Sequence, residues 1–135
     1  MAVGTLVDSD VILDVMTEDD RWLDWSMEAL ATAAELGPLY VNQIVYAEVS
    51  LRFSRIEELE DALPADDFRR LGLPWEASFL AAKAFHAYRR RGGRRTSTLP
   101  DFLIGAHAAV AGLALLTRDP RRYRSYFPTV ELMSP

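Results

Sequence analysis

Apolar residues follow two rhythms along this chain. Short unbroken runs at 3–7 (VGTLV), 39–41 (LYV) and 113–117 (LALLT) alternate with longer stretches in which apolar side chains return every three or four positions. The runs are too short for helices and rich in Val and Leu, so they read as buried strands. The periodic stretches read as helices with one buried face.

In chain order, the first strand is followed by a helical turn at 11–16. A stronger helix begins near Asp20, with Trp22, Trp25, Ala29, Ala33 and Leu36 on its repeat, and Gly37 and Pro38 end it. After 39–41, Asn42 is placed to cap a helix carrying Ile44, Val45, Glu48 and Val49 as far as Phe53. Residues 54–63 form a polar helix with Ser54 as cap and Pro64 as stop, and 66–73 read as a loop with a short strand or turn. A helix from Pro74 and Trp75 presents Ala77, Leu80, Ala81, Ala84, Phe85 and Tyr88, then runs into RRRGGRRTST. Pro100 and Asp101 open a further helix over 102–110 and Gly112 stops it. The 113–117 run follows, and 128–133 reads as a last strand. Such alternation predicts an α/β fold with a short parallel sheet flanked by helices.

The length, 135 residues, suits one domain over 1–135. Absence of cysteine excludes disulfides and thiolate chemistry, and with no cationic leader at the start the expected location is cytoplasmic. The longest apolar stretch, 102–117, is broken by His107 and two glycines and is too short to span a bilayer. The net charge of −5 is uneven: residues 1–76 carry 17 acids against 5 arginines, whereas 77–135 carry 10 bases against 3 acids. An acidic first half and a basic second half suggest a polyanionic partner met by the second. Candidate contacts are Arg89, Arg90, Arg91, Arg94 and Arg95 after the fifth helical stretch, and Arg121, Arg122 and Arg124 near the end.

Four acids stand beside apolar elements: Asp8 after the first run, Glu48 at the edge of a buried helical face, Asp101 at a helix start, and Asp119 after the 113–117 run. In an open α/β sheet, ligands bind outside the carboxyl ends of the strands. Four carboxylates converging there would repel one another unless a hard divalent cation, Mg²⁺ or Mn²⁺, sat among them. Such an ion supports attack of water on a phosphodiester. Ser9 and Thr117 neighbour two of the acids and are placed to support them.

VDSDVILD, VYAEV, PDFLIGAHA and LLTRDPRRY resemble, in order and spacing, the four motifs of PIN-domain ribonucleases of the VapC toxin type, and the closing FPTVELMSP resembles that family's last strand. The resemblance implies a three-layer PIN-like domain in which Asp8, Glu48, Asp101 and Asp119 are the catalytic and metal-holding acids. Ser9, Asp10 and Thr117 are implied as supporting positions, Asp10 standing where the family varies among Asn, Ser and Asp. It also implies Mg²⁺- or Mn²⁺-dependent cleavage of RNA, a homodimer, and neutralisation by a small cognate antitoxin. Trp22 and Trp25 are candidates to line the groove taking that partner.

Two other readings compete. VDSDV also fits the DxD motif of haloacid-dehalogenase-like phosphatases, with Asp8 as nucleophile, but that family needs a later lysine and the sole lysine here, Lys83, falls in a helical stretch. A non-catalytic interaction domain on the same scaffold is the third. Two histidines, His86 and His107, are too few for a three-histidine zinc site, and both read as packing or surface residues.

Overall fold

The computed structural model describes residues 2–92 and 99–135. Five short strands form one parallel sheet: β1 (Thr5–Val7), β2 (Leu39–Val41), β3 (Phe68–Arg70), β4 (Ala114–Leu116) and β5 (Leu132–Met133), in the spatial order β3-β2-β1-β4-β5. Parallel neighbours need long crossovers, and helices supply them. Those described are α1 (Ser9–Met16), α2 (Leu23–Leu36), α3 (Gln43–Ser50), α4 (Ile56–Ala62), α5 (Trp75–Arg90), α6 (Leu99–Ala111) and α7 (Arg121–Tyr126). The chain steps from β1 out to β3, then returns across β1 to β4. Right-handed crossovers place the connections before and after that return on opposite faces of the sheet. Helix α1 packs on α2 and α3, and α5 on α6.

The α/β architecture read from the pattern is therefore the observed one, with β3 and a two-residue β5 completing the sheet. Central β1 and β4 are buried throughout, Leu6, Val7, Leu115 and Leu116 being fully shielded, which is why they read as unbroken apolar runs. Gly112, with φ of +66°, closes α6 in the left-handed conformation that favours glycine. Among the described residues no helix is long and apolar enough to cross a membrane.

Several element boundaries differ from the pattern reading, each for a local reason. Asp8 itself caps α1, its Oδ1 accepting from the Ser9 amide at 2.8 Å, so the helix starts directly after the strand. Asp19 and not Asp20 organises the entry to α2, accepting from the amides of Arg21 and Trp22, both at 2.9 Å. Ser54 does not cap α4: the N-cap is Arg55, and no side chain there bonds to the helix amides. Asn42 caps α3 as expected, accepting from the Val45 amide. Helix α7 is an element that its basic composition, RRYRSY, hides; Tyr123 and Phe127 form its buried edge. They approach α6 at Gly105, where an added Cβ would lie 2.5 Å from the Phe127 ring and 2.9 Å from Tyr123.

Candidate functional site

Because β1, β2 and β4 are adjacent and parallel, the residues that follow them emerge together at one end of the sheet. They are Asp8, Asn42 and Thr117. That end, beside the strand where the order reverses, is where open α/β sheets bind ligands.

Asp8 is the centre of the arrangement, with only 6% of its surface exposed. Its Oδ2 accepts from Thr117 Oγ1 at 2.9 Å and from the Tyr123 hydroxyl at 3.1 Å, while Oδ1 accepts from the Ser9 amide. Burial, helped by the charges of Asp10 and Asp101, still pushes its pKa well above the ordinary carboxylate range; the Thr117 and Tyr123 donors pull the other way. Tyr123 is raised in turn, first by burial and then by the Asp8 charge.

Ser9 reaches from the first turn of α1 to Glu48 on α3, its Oγ donating to Oε1 at 2.9 Å. Glu48 is half-buried beside the fully shielded Val45 and Val49, the position its helical spacing predicts. Burial and the nearby Asp101 raise its pKa. Asp101 lies in the first turn of α6, where the helix dipole favours an acid, and its Oδ2 accepts from Arg122 Nη1 at 2.9 Å. Asp10 is raised to about 6, mainly by burial and against the pull of Arg118. Its Oδ1 is buried with no hydrogen-bond partner.

Asp8, Asp10, Glu48 and Asp101 thus share one field. Asp119 stands differently: it is exposed, and its backbone amide donates to Thr117 Oγ1 at 3.1 Å. Among the described residues no hydrogen bond or ion pair engages its carboxylate, which lies at the rim of the crevice and not within the buried group.

Two residues that the pattern gave no reason to select complete the setting. Asp14, 2% exposed on α1, accepts from Ser26 Oγ at 2.8 Å and from Arg118 Nε at 2.9 Å. The Arg118 guanidinium lies 5.4 Å from the centre of the Trp22 ring. Trp22 and Trp25 meet edge to face at 6.1 Å and are both half-buried, Trp25 packing on the core and Trp22 roofing Arg118. On the α6 side, Asn42 Nδ2 lies 3.0 Å from His107 Nδ1. Since Asn42 Oδ1 is already committed to the Val45 amide, Nδ2 is the donor and the buried imidazole is neutral, consistent with a pKa lowered by burial. His86 is exposed, so the two histidines are a packing residue and a surface residue. Lys83 sits on α5 with its ammonium 5.1 Å from the Phe79 ring, which leaves the phosphatase reading without a lysine in the crevice.

The basic runs also come together in part. Arg91, past the end of α5, lies 5.7 Å from the Tyr126 ring of α7; Arg89, Arg90, Arg91, Arg121 and Arg124 are all exposed. Arg94 and Arg95 lie outside the described residues.

A family model for the PIN domain matches residues 5–127. The chain belongs to the PIN-domain family. No curated protein is similar enough in sequence to this PIN domain to count as a relative. Solved structures of the same fold include VapBC2 from Rickettsia felis bound to a DNA fragment from their promoter, at 15% identity and a TM-score of 0.74, covering 96% of this chain and 97% of that one. VapBC-1 from nontypeable Haemophilus influenzae is similar at 15% identity and a TM-score of 0.73, covering 96% of each chain. A toxin-antitoxin complex from Klebsiella pneumoniae is similar at 19% identity and a TM-score of 0.60, covering 94% and 95%.

The crevice of this PIN domain carries surplus negative charge on oxygen atoms only, with an orphaned buried oxygen at Asp10. Among the described residues no three His, Asp or Glu side chains are grouped to hold an ion directly. Oxygen donors of this kind suit a hard divalent cation.

Proposed function

We propose that this chain is a metal-dependent endoribonuclease of the VapC type, the toxin of a toxin–antitoxin pair. The observation that carries the reading is the crowding of Asp8, Asp10, Glu48 and Asp101 at the carboxyl ends of adjacent strands, each of the first three raised in pKa by burial and by neighbouring acids. Carboxylates kept together at such a cost call for a cation.

Asp8 and Asp101 would hold Mg²⁺ or Mn²⁺, with Glu48 beside them and Asp119 completing the set from the exposed rim. When bound, the ion supplies Lewis acidity at a phosphoryl oxygen and a water acidified for attack on phosphorus. Thr117, Tyr123 and the Ser9 amide fix both Asp8 oxygens. Ser9 fixes Glu48 through Oε1 and leaves Oε2 to receive a proton. Arg122, beside Asp101, neutralises that acid. Arg89, Arg90, Arg91, Arg121 and Arg124 face the approaching RNA backbone.

A homodimer and a small antitoxin partner belong to the same reading. Similarity in fold to complexes described as VapBC and as toxin-antitoxin supports it. The test is cleavage of a labelled RNA by purified protein. Cleavage with Mn²⁺ that stops in EDTA, and falls by about two orders of magnitude or more in Asp8→Asn and Asp101→Asn, is expected. Full cleavage in EDTA or by either variant would overturn the reading.

A further inference from the structure

Beside the acid crevice lies a cavity of about 400 Å³, lined by Tyr88, Asp119, Arg121, Arg122, Ser125 and Tyr126. Two of its walls are tied to the crevice. The Asp119 amide bonds to the same Thr117 hydroxyl that holds Asp8, and Arg122 grips Asp101. The remaining walls combine aromatic edges with cationic and hydroxyl donors: Tyr88 and Tyr126 meet edge to face at 5.8 Å, Arg91 covers Tyr126, and Arg121 and Ser125 are exposed at the mouth.

The volume is within the range of sites for one small molecule. Aromatic surface next to arginine is the chemistry by which proteins take an unstacked base together with its phosphate. A comparable cavity of about 310 Å³ at the amino ends of the strands is lined by Ala2, Ala108, Gly112 and Glu131 among others, and offers no cationic or aromatic side chain.

We propose that the cavity on α7 is a nucleotide subsite, taking the nucleotide adjacent to the scissile phosphate with its base against Tyr88 and Tyr126 and its phosphate toward Arg121. The proposal deepens the ribonuclease reading and rests on it for the word scissile. It requires single-stranded RNA at this position, because only an unstacked base can enter.

Calorimetric titration in EDTA of the full-length protein with AMP, CMP, GMP, UMP and, separately, inorganic phosphate tests it without calling on catalysis. At least one nucleotide should bind about tenfold more tightly than phosphate alone, the worth of one base contact. Ser125→Trp, which fills the mouth from an exposed position, should remove that advantage. Arg121→Ala should weaken binding of a fluorescein-labelled RNA decamer and reduce its salt slope by about one. In Mn²⁺ both variants should raise KM for RNA. Equal binding of nucleotides and phosphate, or nucleotide binding by Ser125→Trp at the wild-type level, would overturn the subsite even where RNA is cleaved. Failure of Mn²⁺-dependent cleavage with the nucleotide results intact would overturn the ribonuclease reading and leave the binding site standing.

Discussion

The Thr117 hydroxyl has one proton, and Asp8 takes it. Thr117 Oγ1 lies 2.9 Å from Asp8 Oδ2 and accepts from the Asp119 amide at 3.1 Å, so the more distant Asp10 Oδ2, at 3.4 Å, gets no hydrogen from it. One side chain at the end of β4 thus orients the central acid and fixes the rim. Thr117→Val leaves a buried carboxylate short of a donor and an amide short of an acceptor, which costs about 1–3 kcal/mol. Urea unfolding should show that loss, and Thr117→Ser should restore most of it. Wild-type stability in the valine variant would mean that the hydroxyl does not serve Asp8.

Asp10 gives a pH dependence of definite sign. Its pKa is raised to about 6 in the fold, so the native state binds the proton more tightly than the unfolded chain does. Stability from this group is therefore fully present below about pH 4, the unfolded carboxylate value, and is lost as pH rises through about 6. Asp8 acts in the same direction. Metal-free melting curves between pH 4 and 8 should show Asp10→Asn with a shallower decline and a higher Tm than wild type at pH 7. Identical slopes would contradict the assignment of strain to this carboxylate.

Much of this arrangement is legible in the residue pattern because its causes are local. Short apolar runs mark β1, β2 and β4, and a polar residue directly after each strand is what an open sheet delivers to its carboxyl end. Glu48 is legible from the spacing of Val45 and Val49 on one helix. Asp14 is not: between Leu13 and Val15 it has the look of an ordinary polar position, and its partners Ser26 and Arg118 lie 12 and 104 residues away. Tyr123 is hidden among arginines, although its spacing of four from Phe127 is the one helical signal in that segment. The different setting of Asp119 follows from its neighbour: Thr117 takes the buried position at the strand end, and two residues on the chain has already reached solvent.

The Asp14 and Arg118 pair sets a third expectation. Asp14 is almost fully buried, whereas the Arg118 side chain keeps 32% of its surface exposed, so solvent screens part of the interaction. Arg118→Ala should destabilise the fold by about 2–3 kcal/mol, less than a fully buried pair would, because Asp14 is left with Ser26 alone. Asp14→Asn with Arg118→Ala together should cost less than the sum of the two, as shown by denaturant unfolding of the double-mutant cycle. Strict additivity would show that the two side chains do not act as a pair.

Thermal melting with and without Mn²⁺ tests most directly whether the acid crevice is a cation site. An ion that binds only the native state adds about 2.7 kcal/mol at roughly 100 times its Kd, a rise of several degrees in Tm for a chain of this length. Wild-type protein should show that rise, and Asp8→Asn should lose nearly all of it while remaining folded. A wild-type Tm indifferent to Mn²⁺, or an equal rise in Asp8→Asn, would contradict the account.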